Sequence, residues 1–157
     1  MTPRMSAYKR ILVAVDGSAA SNKGLREALR LAKAERAKLC ILHVVNDYVV
    51  VAAMGGVAPP RDLGPRLRES GERILAQAKA LAARQRLKPA VVLREVLSGP
   101  AAESIVREAS RQRADLIVLG THGRRGVRRL MLGSDAEQVM RSARVPVLLV
   151  RANGASS

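Results

Sequence analysis

Aromatic side chains are almost missing from this chain: its 157 residues include two Tyr and neither Phe nor Trp. The core must therefore be built from Val, Leu, Ile, Ala and Met. A single-stranded nucleic-acid interface built on base stacking has no platforms to use, which argues against that class of partner. Cys40 is the only cysteine. No intrachain disulfide can form, as expected of a cytoplasmic chain. Cys40 sits in the strand-like run Leu39-Cys40-Ile41-Leu42 and reads as a small buried hydrophobe. The two histidines are far apart in sequence and give no metal-ligand spacing. Long hydrophobic runs are lacking too. The N-terminus has charge but no apolar h-region behind it, and Tyr48–Val57 is too short to cross a bilayer, so neither secretion nor a membrane is expected. Acidic residues are outnumbered, 13 against 28 Lys and Arg, which leaves a net charge of +15. Such a chain attracts anions. The basic residues are spread through every predicted helix, as solvated faces would be.

Hydrophobic residues make up 48% of the chain, too many for a disordered segment, and the length suits one domain. Strand-like and helix-like patterns alternate throughout. Ile11–Val15, Lys38–Val45, Val91–Leu97, Leu116–Leu119 and Pro146–Val150 are short apolar runs. Between them, Leu25, Ala28, Leu29 and Ala32 have helical spacing, as do Ile74, Leu75, Ala78, Leu81 and Ala82, and then Ile105, Val106 and Ala109. Ala136, Val139, Met140 and Ala143 define one face of a last helix. Ser18 is placed to cap the first helix. Gly24, inside that helix, costs about 1 kcal/mol against Ala and marks close packing on the sheet. Residues 46–65, with Gly55-Gly56, Pro59-Pro60 and Gly64-Pro65, read as the longest irregular stretch. The pattern is (βα)4β: an α/β fold with an open, doubly wound, five-stranded parallel sheet covered on both faces.

One stretch carries the chemistry. Gly120–Ser134 reads GTHGRRGVRRLMLGS, between an apolar strand and a helical pattern. A glycine-rich loop leading into a helix start suits a phosphate, because backbone N–H groups can approach the anion at the positive end of the helix dipole. It is not a Walker A loop, since no Gly-Lys-Ser/Thr occurs, and no G-x-G-x-x-G follows the first strand. Its spacing, G-x2-G-x9-G-S, resembles the nucleotide-binding motif of the universal stress protein family. Three further segments resemble the same family in the same order: Arg10-Ile-Leu-Val-Ala-Val-Asp16-Gly17-Ser18, Leu42-His43-Val44-Val45 and Val145-Pro146-Val147-Leu148-Leu149-Val150. The resemblance covers residues 8–151 of a single domain spanning 1–157.

That resemblance implies strand order 3-2-1-4-5, with the winding reversing between strands one and four. Ligands of such sheets sit beyond the carboxyl ends of the strands at the reversal. It also implies an ATP-binding regulatory or stress-response module with little or no hydrolysis. Gly120, Gly123, Gly133 and Ser134 would contact ribose and phosphates. Asp16 would lie near the ribose or a phosphate-bound Mg2+, the backbone of Val44 would read adenine, and Ala14 and Val15 would wall the base. A homodimer through the Pro146–Val150 edge strand is implied as well.

Several residues admit two readings. Asp16 can make a turn or cap a helix instead of touching ligand or metal. His122 can bond phosphate or merely present its backbone, and His43 reads as structural, bonded to backbone. Arg124 and Arg125 read as a solvated flap with occasional phosphate contact, and Arg128 and Arg129 share that crowded loop. Asp135 departs from the family pattern. It suits a helix N-terminus, but would repel phosphates unless it helps hold a metal. No nucleophile is paired with a base, so no catalytic residue is assigned. The alternative is a slow ATP hydrolase or nucleotidyl transferase on the same fold, with Asp16 as its base.

Overall fold

The computed structural model describes residues 5–55, 57–96, 98–121 and 132–152. His122, Gly123, Arg124, Arg125, Arg128 and Arg129 therefore lie outside the described residues. The elements run β1 (Arg10–Ala14), α1 (Ala19–Glu35), β2 (Lys38–Asn46), α2 (Asp47–Ala53), α3 (Leu63–Arg84), β3 (Ala90–Val96), α4 (Ala101–Arg111), β4 (Leu116–Gly120), α5 (Ser134–Ser142) and β5 (Val147–Val150). The five strands form one parallel sheet in the order β3-β2-β1-β4-β5, as expected.

Strand alternation divides the core in two. Ile11, Val13, Leu39, Ile41, Leu116 and Val118 face α1 and α3, where Leu25, Leu29, Leu75 and Ala78 cover them. Their neighbours Leu12, Cys40, Leu42, Ile117 and Leu119 face α4 and α5, against Ile105, Ala109, Ala136 and Val139. Both faces are dry, so the strands read as continuous apolar runs with no polar alternation. Cys40 is buried and free, and burial is the main cause that pushes its thiol up to about 11, so it stays protonated at neutral pH. Among the described residues no helix is long and apolar enough to cross a membrane.

Two sequence expectations change. The stretch 46–65 is not irregular throughout. Asn46 accepts the Val49 N–H at 3.3 Å and starts α2, and α3 begins at Leu63 with Pro65 in its first turn, where a missing N–H costs nothing. The β-branched run Val49–Val51 hides this helix from a propensity reading. Met140 is not on the buried face of α5; it is 48% exposed. Gly24 does face the end of β4, but a Cβ there would lie 3.4 Å from the Gly120 nitrogen, an ordinary contact that does not require glycine.

Three helices end alike. Arg36, Arg86 and Arg113 take φ of 53°, 61° and 51° after α1, α3 and α4. The following residues, Ala37, Leu87 and Ala114, donate back to Ala32, Ala82 and Ala109 at 2.9, 3.0 and 2.9 Å. This is the left-handed C-terminal motif usually filled by glycine, and a side chain there costs about 1–2 kcal/mol.

Candidate functional site

The chain winds away from β1 through α1 on one face and away from β4 toward α5 on the other. Adjacent parallel strands that part in this way leave a cleft at their carboxyl ends. The Asp16-Gly17-Ser18 turn forms one wall. Gly17 takes φ +82°, a glycine conformation. Asp16 Oδ1 accepts the Ser18 N–H at 2.8 Å, the Ser18 hydroxyl accepts the Ser21 N–H at 3.2 Å, and the Asp16 N–H donates to the Ser21 hydroxyl at 2.9 Å. Turn and helix cap are thus one interlocked unit, and Ser18 is the cap the sequence predicts.

The opposite wall is the end of β4 and the start of α5. Thr121 ties them together. Its N–H donates to the Val150 carbonyl at 2.9 Å and its carbonyl accepts the Gly133 N–H at 2.7 Å. Thr121 and Gly133 are therefore held side by side. Gly133's N–H is consumed by this closure and is not open to an anion. The first intrahelical bond runs from the Glu137 N–H to the Gly133 carbonyl at 2.9 Å. The N–H groups of Ser134, Asp135 and Ala136 precede it and have no intrahelical acceptor. Ser134 is exposed. Sequence reasoning passed over Thr121, whose only signal was its place inside the motif. Its buried hydroxyl has no hydrogen-bond partner among the described residues.

Gly120 has a definite packing reason to be glycine. A Cβ there would lie 2.6 Å from the Ala20 carbonyl carbon and from the Ser21 nitrogen. The first turn of α1 sits directly on the end of β4.

Asp135 has a role the sequence did not show. Its carboxylate accepts the Ala102 N–H at the start of α4, where Pro100 supplies no side-chain cap. Desolvation raises its pKa above the usual carboxylate range. The Ala102 bond opposes that rise, and the negative charge of Asp16 adds to it. Asp16 is therefore near enough for its charge to act on Asp135. Among the described residues no group of three or more His, Cys, Asp or Glu side chains is placed to hold a metal.

Ala14 and Val44 are half-buried on the α4 and α5 face of the sheet. The Val15 side chain points to the other face, 4% exposed in the α1 and α3 core. Its N–H donates to Leu42 and its carbonyl receives His43 Nδ1 at 2.7 Å. His43 is thus the buried structural histidine expected, and it braces the turn that carries Asp16.

The family model described as "Universal stress protein family" matches residues 7–151. A universal stress protein of Methanocaldococcus jannaschii is 36% identical over 146 residues, covering 92% of this chain and 82% of its own. A solved structure from the same family, of Burkholderia pseudomallei, is 36% identical with a TM-score of 0.72, covering 91% of this chain and 96% of that one. A universal stress protein solved in complex with cAMP is 26% identical with a TM-score of 0.63, covering 94% of this chain and all of that one.

Proposed function

The chain belongs to the universal stress protein family, and from that premise we propose that it binds ATP in the cleft between the Asp16–Ser18 turn and the start of α5, as a nucleotide-dependent regulatory or stress-response module of the cytoplasm. One observation carries the reading. The N–H groups of Ser134, Asp135 and Ala136, which have no intrahelical acceptor, stand at the winding reversal, with Asp16 near enough for its charge to act on Asp135 and with the close-packed Gly120 at the end of β4. Ser134 with these donors takes phosphate. Ala14 and the backbone of Val44 take the base, and Val15 contributes by holding the turn. Gly123, His122 and Arg124 belong to the same ligand's loop.

The test is calorimetric titration of nucleotide-stripped protein with ATP and Mg2+. One site per chain is expected. Gly133→Val, which places a branched side chain at the mouth of the helix start, should weaken binding at least about tenfold. Unchanged affinity in that variant would exclude this cleft.

Asp16 would hold Mg2+, with Asp135 as a second oxygen donor near enough to be affected by the Asp16 charge. The ion would neutralise phosphate charge. Asp135→Asn should therefore tighten metal-free ATP about fivefold by removing a repelling charge, and weaken ATP when Mg2+ is present. Weakening under both conditions would mean that the residue acts only as the cap of α4.

The strand β5 is a sheet edge, and an exposed edge invites pairing with another chain. We therefore assign a homodimer through Pro146–Val150. Sedimentation at micromolar concentration should give twice the chain mass; a monomer would refute the assignment.

A further inference from the structure

At the end of the sheet remote from Asp16 and Ser134, two cavities open side by side. One, of about 420 Å3, is lined by Arg10, Lys38 and Lys88 above apolar walls. The other, of about 490 Å3, is lined by Lys33, Arg36 and Arg86. Both include Ala37 and Leu87, so they adjoin, and together they are called the groove below. Every charged residue lining it is a cation. All six side chains are exposed, and none makes an ion pair among the described residues. Three carboxylates border this end without lining the groove, and each already has hydrogen-bond partners. Asp115 accepts the N–H groups of Lys9 and Arg10 at 2.8 and 3.0 Å, and Glu35 accepts the Ala7 N–H at 2.8 Å. Glu108, reached through Gln112, is neutralised by Arg94 and Arg111.

This arrangement carries a cost in the folded chain. Arg10 and Lys38 are register partners on adjacent strands, about 4.8 Å apart at the backbone, and like charges so placed repel. Arg36 and Arg86 occupy left-handed positions where glycine would be unstrained. The helix dipole favours a cation near a helix C-terminus. Lys33 and Arg84 already stand in the last turns of α1 and α3, however, and the dipole gives no reason to put another cation in the strained position. A row of unpaired cations along a recess is matched by a row of anionic charge.

We propose that this groove binds a linear, base-free oligophosphate, of which inorganic polyphosphate is the simplest form. Arginine and lysine hold successive phosphates as forked and point donors. The groove has no aromatic lining residue, so it offers nucleobases nothing to stack on. The site is distinct from the nucleotide cleft and lies at the opposite ends of the strands.

The test is titration of the full chain with a short linear polyphosphate at several salt concentrations. Saturable binding is expected, falling about 300-fold between ~50 and ~200 mM salt if all six cations engage. The double variant Arg36→Gly with Arg86→Gly should bind at least about tenfold more weakly, with a salt slope shallower by about 1.4. Both substitutions relieve backbone strain, so a thermal midpoint at or above the parent's separates lost binding from lost folding. Lys79→Gln with Arg107→Gln removes equal charge from exposed helix positions outside the groove and should stay within about twofold of the parent. The proposal falls if no saturable binding occurs, if the Arg36 and Arg86 variant binds like the parent, or if the Lys79 and Arg107 variant loses as much. It also falls if a single-stranded oligonucleotide of equal charge binds more tightly.

Discussion

Replacing Gly120 by alanine should cost about 3 kcal/mol or more of folding stability. The added Cβ would lie 2.6 Å from two backbone atoms of α1 and 2.8 Å from the Ala20 carbonyl oxygen. A side chain could rotate away from such a clash, but backbone cannot. The turn it presses on is also held from three directions. Ser18 caps Ser21, the Ser21 hydroxyl accepts from Asp16, and Asp16 closes on Ser18. To make room, α1 must lift from β4 and take the Asp16 turn with it. For a domain of this size the thermal midpoint should fall by roughly 6–12 °C, as read by circular dichroism. Gly24→Ala is the matched control. Its Cβ would approach the same strand end at 3.4 Å, so it should be neutral or gain up to about 1 kcal/mol of helix propensity. Equal losses in the two variants would show that the interface between α1 and β4 is looser than these distances require.

The same glycine shows what the sequence can and cannot reveal. Gly120, Gly133 and Ser134 stood out by spacing, and they do meet at the reversal of the sheet. Helix packing already requires glycine at 120, and spacing cannot distinguish that from ligand approach. The sheet was legible because Ile11 to Val13, Ile41 to Leu42 and Leu116 to Leu119 are buried on both faces, and such runs alternating with helical patterns mark a parallel, doubly covered sheet. The strand order followed from the family resemblance and not from periodicity. Helix ends were less legible. Arg36, Arg86 and Arg113 stand where glycine would have announced a stop. α2 went unseen because its β-branched residues favour strands and its start depends on one Asn46 bond. The role of Asp135 could not be read at all. Its partner, the Ala102 N–H, lies on a helix more than thirty positions earlier in the chain, and only the packed fold brings the two helix starts together.

Glu108 gives the second large expected effect. It is 1% exposed on α4, the most deeply buried charged residue among those described. Arg94 Nε donates to it at 2.7 Å, Gln112 Nε2 at 2.8 Å, and Arg111 stands at 3.5 Å. Burial alone would push this carboxyl up. The hydrogen bonds from Arg94 and Gln112, with the charges of Arg94 and Arg111, outweigh burial and hold it below the usual range. A carboxylate lowered in the folded state stabilises folding above its unfolded pKa, and that contribution is lost as pH falls through the folded value. Glu108→Gln should therefore cost about 2 kcal/mol at neutral pH. This is less than the usual penalty for breaking a fully buried pair, because Arg94 is 41% exposed and can turn to water. Urea unfolding at neutral pH and again below about pH 4 checks the sign, because the gap between parent and variant should close as Glu108 takes up its proton. A gap that stays constant with pH would mean that shape and packing at this position, and not charge, hold α4 against β3.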